Sequence, residues 1–124
     1  MAGSWIVTDE SRRDYFAPAQ QQAKAMIVLK PNGEFDAVEI PADLLYVEQK
    51  AESELVTGNG TWRLATEHGS EQVDLVFIAI TVGRHGSTPF GTRLSASGRG
   101  QPMTLFYFRG DPDQARRVEF KRAS

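Results

Sequence analysis

Met26-Ile27-Val28-Leu29-Lys30-Pro31-Asn32-Gly33-Glu34-Phe35-Asp36-Ala37-Val38-Glu39-Ile40 decides the fold class. Two runs of β-prone residues flank an Asn-Gly pair. Asn-Gly supplies the positive φ angles that a tight hairpin turn demands, so the stretch predicts two antiparallel strands.

The pattern continues outward from this hairpin. Pro41 to Tyr46 breaks it and reads as one helical turn with Pro41 near its start. Thr57-Gly58-Asn59-Gly60 reads as a further turn, followed by a strand from Thr61 to Thr66. Glu67 to Glu71 closes that strand. Val73 to Val82 is the longest strand candidate, alternating at first and then apolar on both faces, as a strand covered on both sides would be. Gly83 to Thr88 is a polar loop. Gly91 to Ser97 reads as a weak strand rich in small residues, closed by a turn at Ser97-Gly98-Arg99-Gly100. Met103 to Arg109 is strongly β-prone, Gly110-Asp111-Pro112-Asp113 turns the chain, and Arg117 to Arg122 alternates cleanly. Upstream, only Asp9 to Ala25 looks helical, and Pro18 interrupts it; Gln20 to Ala25 is read as a turn or two of helix. Short strands about ten residues apart predict an all-β fold of one domain spanning 1–124. The expected architecture is a single antiparallel up-and-down barrel of seven to nine strands, with a short N-terminal helical element.

The 124 residues suit one domain with one core. The longest uncharged apolar run, Leu75 to Gly83, has nine residues, about half of what a spanning helix needs, so no membrane span is expected. Zero cysteines exclude a disulfide scaffold, a thiol nucleophile and a thiolate zinc site. No basic and apolar leader precedes Trp5, which reads as cytoplasmic; a leader upstream would instead imply the cell envelope or secretion.

The net charge of −2 hides an asymmetry. Residues 34–74 carry a net −8, residues 75–83 none, and residues 84–124 a net +5. The plainer expectation is that acidic strands lie beside basic ones and neutralise them. The sharper one is an acidic face for a protein partner, or a basic face for an anion. Scattered single bases and a pI near 5.7 argue against nucleic acid.

Two Gly-x-Trp units stand in the chain, Gly3-Ser4-Trp5 and Gly60-Thr61-Trp62. A Gly-x-Trp opening the first strand resembles the lipocalin and calycin signature. That resemblance implies a tryptophan at a barrel end, covered by a base from the last strand. Here Trp5 and Arg122 or Lys121 hold those places, and a guanidinium over an indole is a cation–π contact. Leu29, Asn32-Gly33-Glu34-Phe35, Ile40-Pro41, Gly58-Asn59-Gly60-Thr61-Trp62 and Gly110-Asp111-Pro112-Asp113 also resemble small uncharacterised bacterial lipoproteins with a calycin-like barrel. The matched residues are structural ones, so the resemblance implies a fold without a reaction. The lipidated cysteine of such proteins is missing here.

Chemistry-bearing motifs are few. His68 and His85 sit in Gly-flanked loops with no partner at metal-ligand spacing, so no metal and no cofactor is expected. Asp111-Pro112-Asp113 lacks the further ligands of a calcium loop. Gly58-Asn59-Gly60 and Gly98-Arg99-Gly100 lack the Lys-Ser/Thr and helix of a phosphate loop, and they read as hairpin turns. No Gly-x-Ser-x-Gly elbow occurs. Sixteen acids leave a facing carboxylate pair open.

The aromatics remain. Trp62, Phe77, Phe106 and Phe108 are the candidate lining of a ligand cavity, since eight-stranded barrels either fill their interior or hold one small ligand. Trp62 and Leu64 are expected to face inward and Arg63 outward. Phe106 and Phe108 share the face opposite Met103, Leu105 and Tyr107, so an exposed Phe106/Phe108 stripe would mark a partner surface instead. The leading functional expectation is a non-enzymatic barrel for a small apolar or amphipathic ligand. The alternative is a protein-interaction module, such as an immunity or inhibitor protein, with an acidic face. An enzyme ranks last.

Overall fold

The computed structural model describes residues 1–46, 49–83, 88–97, 103–109 and 116–123. Eight antiparallel strands follow one another around a closed barrel: β1 (Gly3–Val7), β2 (Met26–Leu29), β3 (Glu34–Pro41), β4 (Leu55–Glu67), β5 (Ser70–Val82), β6 (Phe90–Ser97), β7 (Thr104–Phe108) and β8 (Arg117–Arg122). β1 pairs with β8 as well as β2, with Trp5 opposite Arg122 and Val7 opposite Phe120. Closure pairs every strand on both sides, while the outer part of the β4–β5 hairpin runs past its neighbours.

Period-two alternation builds the core. Trp5, Val7, Ile27, Leu29, Phe35, Ala37, Leu75, Phe77, Leu105, Val118 and Phe120 point inward and are buried, while their chain neighbours face out. Phe35 and Phe77 meet edge to face across the middle, ring centroids 4.9 Å apart.

The Asn32-Gly33 turn joins β2 to β3. The Lys30 N–H donates to the Glu34 carbonyl (2.8 Å), and the Asn32 side-chain oxygen accepts from the Glu34 N–H (3.0 Å). β4 and β5 form the longest hairpin, 13 residues each. Its two-residue turn, His68-Gly69, has φ of 52° and 78°, both positive as a primed turn requires.

Gly58 and Gly60 lie inside β4, not in a turn. β5 carries one extra residue between Phe77 and Ala79, and β4 runs unusually close to it there. A Cβ on Gly60 would overlap the Val76 carbonyl, so this glycine serves backbone approach and not chain reversal.

One barrel end carries a plug. α1 (Asp9–Tyr15) follows β1 directly, N-capped by Thr8, whose hydroxyl accepts from the Ser11 N–H at 3.1 Å. Short 3-10 turns at Pro18–Gln20, Ala42–Leu44 and Gln49–Ser53 complete it. Helix occupies Asp9–Tyr15 rather than Gln20–Ala25, where the chain makes a 3-10 turn at Pro18–Gln20 and Ala25 takes a positive φ of 47° before β2. Arg12 donates to the Gln21 and Ala23 carbonyls (2.9 and 2.7 Å), and Gln21 to those of Arg12 and Phe16 (3.0 and 2.9 Å). Among the described residues no helix is long and apolar enough to cross a membrane.

Candidate functional site

The four aromatics proposed as a lining do not converge. Phe77 is sealed in the core. Trp62 is half-buried near the opposite barrel end, its indole N–H donating to the Lys30 carbonyl at 2.8 Å. Phe106 and Phe108 take the outer face of β7, because Leu105 and Tyr107 occupy the inner one. Arg117 covers Phe106, its guanidinium carbon 4.2 Å from the ring centroid, while Phe108 stays 42% exposed. Leu64 also departs from the inward expectation, at 53% exposed. The β3–β4 ladder stops at Glu34 and Thr61, so the hairpin beyond it has no strand on that side to cover Leu64.

Trp5 is buried and its indole N–H donates to the Met1 carbonyl at 3.1 Å. Of the two bases considered for its cover, Arg122 lies over it, with the guanidinium carbon 5.3 Å from the ring centroid and a further donation to the Ala2 carbonyl. His68 is exposed at the hairpin tip. His85, Asp111-Pro112-Asp113 and Gly98-Arg99-Gly100 lie outside the described residues. Among the described residues no three metal-ligating side chains cluster.

The acidic and basic segments meet. Arg93 of β6 donates to Asp74 (2.6 Å) and to Glu67, and Arg109 closes on Asp43 (2.8 Å). These pairs draw on acids from the 34–74 segment and bases from the 84–124 segment, because β5 pairs with β6 and the plug packs on β7.

A hollow of about 440 Å³ opens on the outer face of β4, β5 and β6. Two adjacent rungs of the sheet build it. Thr61, Val76 and Gly91 lie side by side across the three strands, and Arg63, Asp74 and Arg93 lie side by side on the next outward rung. The volume falls in the range of small-ligand sites, about 300–1,000 Å³. Val76 gives the floor an apolar surface, 38% exposed, and Gly91 leaves its own share of the floor bare.

Charge lines one side. Arg93 is fixed by Asp74 and Glu67, which hold its guanidinium even further into the charged range; the Asp74 hydrogen bond is the largest cause. Arg63 reaches the other Asp74 oxygen only at 3.5 Å and keeps a side chain 82% exposed. The Asp74 carboxylate lies between two guanidiniums. The hollow offers hydrogen-bond donors and an apolar floor, which is equipment for binding.

No protein family, no curated protein and no solved structure matches the chain. Sequence reading did not locate the hollow, because it depends on which residues of three strands come level. One signal was available: Gly91 inside a strand, two places before Arg93.

Proposed function

We propose that the chain is a non-enzymatic binding barrel that takes a small amphipathic ligand on the outer face of β4–β6, not inside the barrel. The interior supports this by being occupied: Phe35, Phe77, Leu75, Leu94, Leu105 and Phe120 are each at most 1% exposed. The Gly-x-Trp start and the Arg122 cover over Trp5 support reading the barrel as calycin-like, with its binding surface moved outward.

Gly91 carries the reading. A glycine in a strand weakens it unless the backbone or a close neighbour requires one. Neither holds here. Its φ lies outside the left-handed region, and an added Cβ would meet only the Leu75 carbonyl, at 3.9 Å. The barrel therefore has no use for a bare position there, whereas a ligand approaching the sheet does.

The test is a thermal-shift screen of amphipathic small molecules against the wild type and Gly91→Leu. The Cβ of a residue at position 91 meets nothing closer than 3.9 Å, so a leucine there projects its side chain over the floor of the hollow. The expected result is a ligand-dependent rise in Tm that Gly91→Leu abolishes with the fold intact. A hit that binds the two proteins equally, or no hit at all, overturns the reading. The acidic-face alternative draws less support, since Asp43, Glu67 and Asp74 are engaged by arginines of the same chain.

A further inference from the structure

We infer that the ligand of the β4–β6 hollow is a small organic monoanion, an apolar body bearing one carboxylate or similar acid group, and that Arg63 is the residue that reads the acid. This rests on the binding-barrel reading above and adds the ligand's chemical class.

Most of the hollow's charged groups are already engaged with one another. Each guanidinium presents five N–H donors. Arg93 directs its Nε at Asp74 and one terminal nitrogen at Glu67. Asp74 has one oxygen on Arg93 at 2.6 Å and the other facing Arg63 at 3.5 Å, with its side chain only 14% exposed. Its acceptor capacity is turned into the protein. On the other flank Glu34 pairs with Thr61 across the β3–β4 ladder, on the apolar rung and not on the Arg63 rung, and one of its carboxylate oxygens accepts from the Asn32 side-chain amide at 2.7 Å. On the Arg63 rung, what remains for a ligand is the donors of Arg63 itself, whose side chain is 82% exposed.

Charge leads to the same class. Arg63 and Arg93 balance Asp74 and Glu67, so the four groups sum to zero. A single anion can enter beside Arg63 and meet a planar fork of donors suited to a carboxylate or sulfonate. A cation beside Arg63 would meet a like charge, and the Asp74 oxygens there already face two guanidiniums. The apolar body then lies on Val76 and the bare Gly91 backbone, one rung from the charge.

Arg63 is well placed for a clean test, because it is exposed and Asp74 keeps its shorter bond to Arg93 when Arg63 is changed. Two dyes of similar shape serve as probes: anionic anilinonaphthalene sulfonate and uncharged phenylnaphthylamine. Fluorescence titration is run on the wild type, Arg63→Gln, Arg63→Lys and Gly91→Leu, each checked for an unchanged Tm. The expected result is that Arg63→Gln weakens the anionic dye about tenfold or more, the usual worth of a hydrogen bond to a charged group. Arg63→Lys should restore part of that loss, added salt should weaken the anionic dye, and Arg63→Gln should leave the uncharged dye unchanged. Gly91→Leu should remove both dyes. Equal loss of both dyes in Arg63→Gln, or no loss of the anionic one, overturns the assignment of Arg63 while the hollow stands as a binding site. Failure of both dyes to bind the wild type, or binding that Gly91→Leu leaves unchanged, overturns the site itself.

Discussion

The guanidinium of Arg109 closes on both carboxylate oxygens of Asp43, a residue 66 positions earlier in the chain (Nε to Oδ2 2.8 Å, Nη2 to Oδ1 3.0 Å). Both side chains are buried, at 3% and 8% exposure. Arg109 also donates to the Tyr15 carbonyl (2.6 Å) and the Glu52 carbonyl (3.4 Å), and Tyr107 donates its hydroxyl to Asp43 (2.8 Å). One cation thus ties β7 to the helix and to two 3-10 turns of the plug.

Arg109→Met should be strongly destabilising. Among the described residues it leaves the buried Asp43 carboxylate with the Tyr107 hydroxyl as its remaining side-chain partner, a situation that costs about 3–5 kcal/mol. The paired change Arg109→Met with Asp43→Leu should cost clearly less than the sum of the two single changes, because no charge is then stranded. Urea denaturation of the four proteins gives the comparison, and additive costs would mean the pair is not coupled.

Tyr107 makes stability pH-dependent at the alkaline end. Burial first, and then the Asp43 charge, hold its hydroxyl well above the ordinary 10.0, against the opposing pull of Arg109. The folded value lies above the unfolded one. Its contribution is therefore whole below pH 10.0 and is lost as pH rises from there through the folded value. Tyr107→Phe should flatten this part of the alkaline loss while lowering stability near neutrality by about 1 kcal/mol. Denaturation midpoints at about pH 8 and about pH 11, on either side of the free tyrosine value, decide it.

Two strand glycines should respond in opposite ways. Gly60→Ala drives a methyl into the Val76 carbonyl and should cost about 3 kcal/mol or more. Gly91→Ala meets nothing closer than 3.9 Å and should be neutral or stabilising by up to about 0.5–1 kcal/mol. Thermal melts of the two variants measure the contrast directly. A destabilised Gly91→Ala would mean that the barrel itself needs the glycine.

Arg122→Ala removes the cover over Trp5. The stacking contact at an exposed site is worth about 0.5–1 kcal/mol, so the chain should stay folded with a slightly lower midpoint. The sharper readout is Trp fluorescence, which should shift to the red as water reaches Trp5. Unchanged emission would show that Met1 and its neighbours seal the indole without the arginine.

The barrel was legible because its cues are local. The Asn32-Gly33 turn, the Val118/Phe120 alternation and the spacing of the strands each sit within a few residues, and all of them describe half-buried antiparallel strands. What escaped depends on register. Leu64 has the parity of an inward residue, yet no sequence pattern tells that β4 and β5 outrun β3. Phe106 and Phe108 sit in a run apolar on both faces, so parity alone left their direction open. The Gly58-Asn59-Gly60 triplet has turn chemistry but lies where two strands press together. The hollow is harder still, since Arg63, Asp74 and Arg93 become neighbours only once three strands are aligned.

The pairing of first and last strands has a mechanical consequence. The Ala123 N–H donates to the Ser4 carbonyl at 2.8 Å, and Trp5 stands opposite Arg122, so the described ends of the chain leave the barrel side by side. Force applied to those two ends pulls β1 and β8 apart one hydrogen bond at a time, as a zip opens, instead of shearing the whole ladder at once. Such a barrel should hold against heat and denaturant, which must loosen the core as a whole. It should yield to modest tension, which needs only to start at the seam.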